Sequence, residues 1–126
     1  MSALTDTKAQ IAQAIETVIA EVPALRQLKL VASLELRGRG DVQQFRIELP
    51  GPQITKDVAA DARITVDMRR EFFNAMVSEG AHVADWREAF RYGQAKATGV
   101  AQILKLIERV VGMQEERTAL RRARPR

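Results

Sequence analysis

The 126-residue chain contains no cysteine, a single histidine and few aromatic residues, 5% of the total. The absence of cysteine excludes disulfide scaffolds, thiolate nucleophiles and thiolate metal sites, and it favours a reducing compartment. No apolar run approaches the roughly 18 residues of a membrane span, and the first residues lack the basic-then-apolar pattern of a secretory signal. We therefore expect a soluble, cytoplasmic protein.

Apolar residues make up 46% of the chain and charged residues 29%, the balance of a globular domain that can bury its own core. The net charge of +4 is concentrated at the C-terminus, because the last twelve residues contain five arginines and two glutamates. We expect a single domain over residues 1–112 and a flexible Arg-rich tail over 113–126, either a frayed helical extension or disordered. Such a tail suits an anionic partner, a membrane surface or nucleic acid.

Helical spacing of apolar residues predicts four helices. The first helix ends before Pro23. Its apolar face could pack against a second copy of the chain, so a homodimer through this helix stays open. Asp67 is a candidate cap for the second helix and Asp85 for the third, and the glycines Gly80 and Gly112 are expected to end the second and the fourth. The predicted helices cover residues 5–22, 68–78, a short stretch between Asp85 and Gly93, and 100–111.

Alternating side chains predict the strands. A turn at Gly38–Asp41 joins two alternating segments into a hairpin over 28–49. Residues 53–58 are expected to form a short irregular strand and 62–66 a fourth strand, all four antiparallel. A short extended segment over 94–98 precedes the last helix. The sequence therefore predicts an α+β fold.

This order of elements resembles the sterol carrier protein 2 family of small lipid-binding domains, and the likeness runs over 28–111. Three segments carry it. They are the hairpin, the strand Ala62–Val66 followed by the aromatic helix segment Phe72–Met76, and the connection Gly93–Gly99 that leads into the last helix.

The connection Gly93–Gly99 is the most telling of the three. In the family, a glycine, a lysine-bearing strand and a second glycine join the last strand of the sheet to the closing helix. Both glycines and Lys96 are present here. The chain departs from the family at Ala95 and Ala97, which replace larger apolar residues.

The resemblance implies a five-stranded, mostly antiparallel sheet covered by helices, with an apolar tunnel between sheet and helices that holds a lipid, sterol or fatty acyl ligand. It implies neither catalysis nor a cofactor. The residues themselves favour such a space, since large flexible side chains on one helix can face the small Ala95 and Ala97. The same kind of stripe is more often packed core than ligand pocket. The predicted cavity residues are Phe72, Phe73, Met76, Phe90, Ile103, Leu104 and Ile107.

No residue pattern predicts a catalytic or metal site. His82 has no second metal ligand at a suitable spacing, and caps or ion pairs explain the scattered carboxylates. Exposed helix flanks are the simplest interpretation of the arginines, although near a cavity mouth they would suit an anionic head group. These arginines are Arg69, Arg70, Arg87 and Arg91.

Two other classes of function stay open. One is an enzyme acting on an apolar substrate, such as an isomerase, but the element order disfavours it and Tyr92 is predicted at a helix end. The other is an interaction module that uses the basic tail to bind a protein or, less favoured, nucleic acid. The lipid-carrier hypothesis is compatible with a protein that works beside a partner enzyme or at a membrane surface.

Overall fold

The computed structural model describes residues 3–123, with side chains over 7–121. It contains a five-stranded sheet and four α-helices in this range. In chain order the elements are α1 (Ala3–Glu21), a 3-10 helix (Pro23–Gln27), β1 (Leu30–Arg37), β2 (Val42–Leu49), β3 (Gln53–Thr55), β4 (Ile64–Arg69), α2 (Arg70–Ser78), α3 (Val83–Arg91), β5 (Ala95–Gly99) and α4 (Ala101–Ala123). None of the helices described in 3–123 is long and apolar enough to cross a bilayer.

The strand order is β3-β2-β1-β4-β5, which confirms the predicted α+β class and the mostly antiparallel sheet. Three of the neighbouring pairs are antiparallel, but β1 and β4 are parallel, with Leu34 opposite Val66. The expectation that the first four strands are all antiparallel is therefore wrong for the fourth. The physical reason is the path of the chain, which leaves the edge strand β3 and crosses to the free side of β1.

The crossing runs over the polar face of the sheet. Phe45 and Ile47 are buried on the other face, so the side chain of Arg46 between them points away from the core. Arg46 Nη2 donates a hydrogen bond to Asp61 Oδ2 at 2.8 Å, and Arg63 N donates to Val31 O at 2.8 Å. These bonds fix the connection between β3 and β4 to the sheet.

The hydrophobic core lies between the opposite face of the sheet and the helices. Its main cluster combines sheet residues with one buried residue from each of α1, α2 and α3: Ile11, Phe73 and Ala89. The buried sheet residues are Ala32, Leu34, Leu36, Phe45, Ile47, Ile64, Met68 and Ala95. A second, smaller cluster of Val22, Val83 and Val111 joins the end of α1 to α3 and α4.

The first turns of α2 and α3 differ from the sequence expectations. Helix α2 begins at Arg70 rather than at 68, because β4 continues to Arg69 and Asp67 pairs with Arg37 Nε at 2.6 Å instead of capping. In α3, His82 occupies the cap position, and Asp85 reaches back from the first turn to accept the His82 N–H at 2.8 Å.

Helix α4 is longer than predicted. It passes Gly112, where the sequence predicts an end, and continues to Ala123. Of the two alternatives for residues 113–126, a helical extension or a disordered tail, the structure has the helix as far as Ala123. Residues 124–126 lie outside the described range. A glycine within a helix lowers its stability by only about 1 kcal/mol, which the flanking turns can offset.

Candidate functional site

Helix α2 places its aromatic residues over the sheet because it follows β4 with no intervening loop. Phe73 is buried, at 2% exposure, and its ring centroid lies 6.2 Å from that of Trp86 at an interplanar angle of 40°. Phe72, about 100° away on the helix, is half-buried against the same main cluster. Of the adjacent pair, Phe73 therefore carries the contact with α3.

The remaining predicted cavity residues divide into two groups. Met76, Ile103, Leu104 and Ile107 are half-buried and pack against the main cluster, and Ile107 also packs against the smaller one. Phe90 is 39% exposed and is not among the buried or half-buried residues of either cluster. The structure thus brings together every predicted residue except Phe90.

Strand β5 supplies one small buried residue to this region. Ala95 is 1% exposed and pairs with Met68, whereas Ala97 is exposed. At the other end of the strand, Gly99 has φ +132° and pairs with Ile64. A Cβ there would lie 2.3 Å from Arg63 O, so β4 and β5 approach too closely for any other residue.

A cavity of about 10 Å³, room for one water molecule, lies where α1, α2 and α3 meet, whereas pockets for drug-sized ligands measure roughly 300–1,000 Å³. It is lined by Gln13, Ala14, Thr17, Met76, Val77, Gly80, Ala81 and Trp86. Of the predicted cavity residues, only Met76 lines it. Sequence reasoning missed the contribution of α1, since an amphipathic pattern does not reveal which helices meet.

A larger surface cleft of about 340 Å³ lies between α1, the 3-10 helix and the β2–β3 connection. Its walls are apolar at Ile19 and Ala20 and charged at Glu16 and Arg26, and Pro50–Pro52 closes one side. From the sequence, the Pro-Gly-Pro segment indicates only the end of a strand. It was the one sequence feature that could have pointed to this cleft, because prolines beside a strand end mark a fixed loop.

The end of α1 is tied to the start of α3 by Glu21. Its Oε2 accepts the Val83 N–H at 3.0 Å, and its Oε1 lies 2.5 Å from His82 Nδ1. His82 is therefore part of a contact between α1 and α3.

Two of the four arginines considered for head-group binding have protein partners. Arg70 Nη2 donates to Asp41 Oδ2 at 2.9 Å, and Arg87 pairs with Glu115. Both are therefore engaged within the protein, while Arg69 and Arg91 are exposed.

The described groups whose pKa values are shifted, Asp61 and Arg46, lie on the polar face of the sheet. Hydrogen bonds from the Arg46 guanidinium hold the pKa of the Asp61 carboxyl below its ordinary value, and the same bonds to Asp61 and Glu48 raise the pKa of Arg46. Within the described residues no three His, Cys, Asp or Glu side chains form a group suited to a metal ion. The helix-covered face of the sheet is lined by the apolar residues of the main cluster.

Solved structures share this architecture. The crystal structure of sterol carrier protein 2-like 2 from Aedes aegypti superposes with a TM-score of 0.54 and 22% identity over 80% of this chain and 95% of that one. The fold is that of sterol carrier protein 2. The expected resemblance is confirmed at the level of the fold.

Two further structures with this fold extend the comparison. A solution structure of palmitated SCP2L2 from Aedes aegypti gives a TM-score of 0.54 at 23% identity, over 79% of this chain and 91% of that one. The ubiquinone synthesis protein UbiJ-SCP2 gives 0.53 at 17% identity, over 91% and 96%. No protein-family model matches the sequence, and no curated protein matches it significantly.

Proposed function

We propose that this protein binds and carries a lipid with a fatty acyl chain between the core face of its sheet and the helices α2 and α4. The observation that carries the proposal is the group of half-buried apolar residues that pack against the main cluster, Met76, Ile103, Leu104 and Ile107, in a fold of the sterol carrier protein 2 type. The palmitated relative supports an acyl ligand. A cysteine-free chain suits a cytoplasmic carrier.

Binding at this site requires side chains to move. The cavity beside Met76 holds no more than a water molecule, so the acyl chain displaces half-buried side chains. Each methylene removed from water contributes roughly 0.8 kcal/mol, and an acyl chain offers many of them, which can offset the loss of local packing. Met76 is suited to this exchange because methionine is flexible and unbranched.

We propose carriage without chemical turnover. The carboxyl group with a lowered pKa, Asp61, lies on the polar face of the sheet, across from the helices. The groups around the proposed ligand are alkyl and aromatic side chains, which bind hydrocarbon by burial rather than by proton transfer. A partner enzyme or a membrane would act as donor or acceptor of the lipid.

Native mass spectrometry of the protein mixed with palmitate tests the proposal. We expect a one-to-one adduct, and we expect Met76→Trp to weaken it by filling the site. Val58→Trp is the control because Val58 is 63% exposed and lies in the β3–β4 connection. Absence of an adduct with the wild-type protein, or equal adducts with both variants, would count against the site.

A further inference from the structure

Helix α4 carries an apolar stripe on its outer side. Leu106, Met113 and Leu120 are 41%, 47% and 67% exposed. They follow one another at intervals of seven residues, so helix geometry places neighbouring members about 20° apart and Leu106 about 40° from Leu120, over a length of about 21 Å. Single exposed apolar residues are ordinary, but an aligned series along one helix is the pattern of a contact surface.

This stripe is separate from the face that packs on the domain. Val111 is 7% exposed within the smaller cluster, and it lies about 160° around the helix from Met113. Of the half-buried residues that face the main cluster, Leu104 and Ile107 lie at least about 100° from the stripe, whereas Ile103 lies about 60° from Leu106. The stripe therefore borders the packed face at Ile103, and its three residues stay exposed.

Cationic side chains border the stripe. Arg109 and Arg117 lie within about 40° of Met113, and Lys105 and Arg121 within about 80°. All four are exposed, and Glu116 is the carboxylate among them. The ion pairs seen among side chains 7–121 involve none of these four cations. Three more arginines follow in the sequence, at 122, 124 and 126.

These charges distinguish between two partners that could cover the stripe, a second copy of α4 and a lipid surface. A parallel pair of α4 helices would place Arg117 beside its own copy, and an antiparallel pair centred on Met113 would place Arg109 opposite Arg117. Like charges at such positions oppose association. Lipid head groups of negative charge complement the same arginines, while the acyl region accepts the stripe.

We propose that the outer face of α4 docks this protein on an anionic lipid bilayer. The helix lies along the surface, with Leu106, Met113 and Leu120 inserted at the head-group boundary and the basic residues beside phosphate or carboxylate groups. The domain then sits with α4 against the bilayer. This docking needs no ligand inside the fold, so it stands independently of the proposed acyl site.

Co-sedimentation with phosphatidylcholine vesicles, with and without phosphatidylserine, tests the docking surface. We expect binding to the vesicles that contain phosphatidylserine, and weaker binding at high salt. Arg109→Gln with Arg117→Gln should reduce the partition coefficient about thirtyfold, at the usual contribution of a basic residue near an anionic surface. Lys29→Gln with Lys56→Gln removes the same charge from exposed positions elsewhere and should change it little.

The stripe itself is tested by Leu106→Gln, Met113→Gln and Leu120→Gln together, which should reduce partition about tenfold or more. The matched control is Val42→Gln with Val58→Gln, since these apolar residues are 51% and 63% exposed on other elements. Circular dichroism verifies folding, and palmitate binding by the stripe variant should equal that of the wild type.

Three outcomes would overturn the proposal. The first is equal partition of the wild type into neutral and anionic vesicles, or none into either. The second is a dimer in analytical ultracentrifugation that the stripe variant abolishes, which would assign the surface to a second copy. The third is binding of an oligonucleotide, lost in the arginine variant, by a protein that ignores vesicles.

Discussion

Gly99 marks the closest approach of β4 and β5, and its replacement by alanine tests the geometry directly. Its φ of +132° is unfavourable for any residue with a side chain, and an added Cβ would meet Arg63 O at 2.3 Å. We expect Gly99→Ala to lower the free energy of unfolding by about 2 kcal/mol, measured by chemical denaturation. Gly93→Ala is the control, because Gly93 has φ +78° but open space around it. A smaller loss at Gly99 than at Gly93 would contradict this packing.

The Arg46–Asp61 pair makes stability depend on pH. Because the pKa of Asp61 is lowered in the folded state, its contribution to stability is complete above the pKa of the unfolded chain and is lost as the pH falls through the folded value. Asp61→Asn should therefore be less stable than the wild type at neutral pH, with the two converging in acid. Urea denaturation across pH measures this difference. Glu108→Gln, an exposed control, should follow the wild-type profile; a constant offset for Asp61→Asn would refute the assignment.

Individual residues were predictable where one element decided their environment. Phe73 and Ala95 were expected in the interior, and both are buried there. Ala97 was expected to face a helix but is exposed, since the helices cover only the first residue of the edge strand β5. The contact between Arg46 and Asp61 depends on the path of the β3–β4 connection, which no local pattern specifies.

At the scale of elements, Glu21 joins two helices that are distant in sequence. It accepts the Val83 N–H at the start of α3, where the backbone donors of a helix lack intrahelical partners. Glu21→Ala should lower the free energy of unfolding by about 1 kcal/mol, as for loss of a helix cap. Glu16→Ala, at an exposed position of α1, should have a smaller effect. Thermal and urea denaturation compare them; equal effects would show that the contact contributes nothing.

Two glycines, Gly80 and Gly112, have open space where a Cβ would lie, so their replacement by alanine tests backbone conformation without a steric clash. Gly112 lies inside α4, so Gly112→Ala should raise the free energy of unfolding by about 1 kcal/mol through higher helix propensity. Gly80 ends α2 with φ +68°, so Gly80→Ala should lower it by about 1 kcal/mol. Both are measured by denaturation. The same sign for both variants would contradict the continuous helix through Gly112.

The helices were predictable from periodicity and their ends were less so. Gly112 resembled a stop because glycine often follows the last turn, but polar residues beyond it have good helix propensity and the helix continues. Asp67 resembled a cap, but the ion pair with Arg37 holds it on the polar face of the sheet. In both cases tertiary or downstream context outweighed a local signal.

At the scale of the whole molecule, the order of elements was sufficient to predict the architecture, and side-chain patterns were insufficient to predict the interior space. Alternation, helical spacing and the Gly93–Gly99 connection pointed to a helix-covered sheet, which the structure confirms. The size of a cavity depends on how side chains from four helices meet. The small cavity beside Met76 and the cleft at Pro50–Pro52 could therefore be located only in three dimensions.

The most direct measurement is an isotope-filtered nuclear Overhauser experiment with ¹³C-labelled palmitate and the methyl groups of this protein. We expect contacts between the acyl chain and the methyl groups of Met76, Ile103 and Ile107, which are half-buried against the core. Contacts confined to Ile19 and Ala20, in the cleft beside Pro50–Pro52, would place the ligand outside the sheet–helix interior and contradict the proposed binding site. Palmitate that binds without reaching any of these methyl groups would contradict it equally.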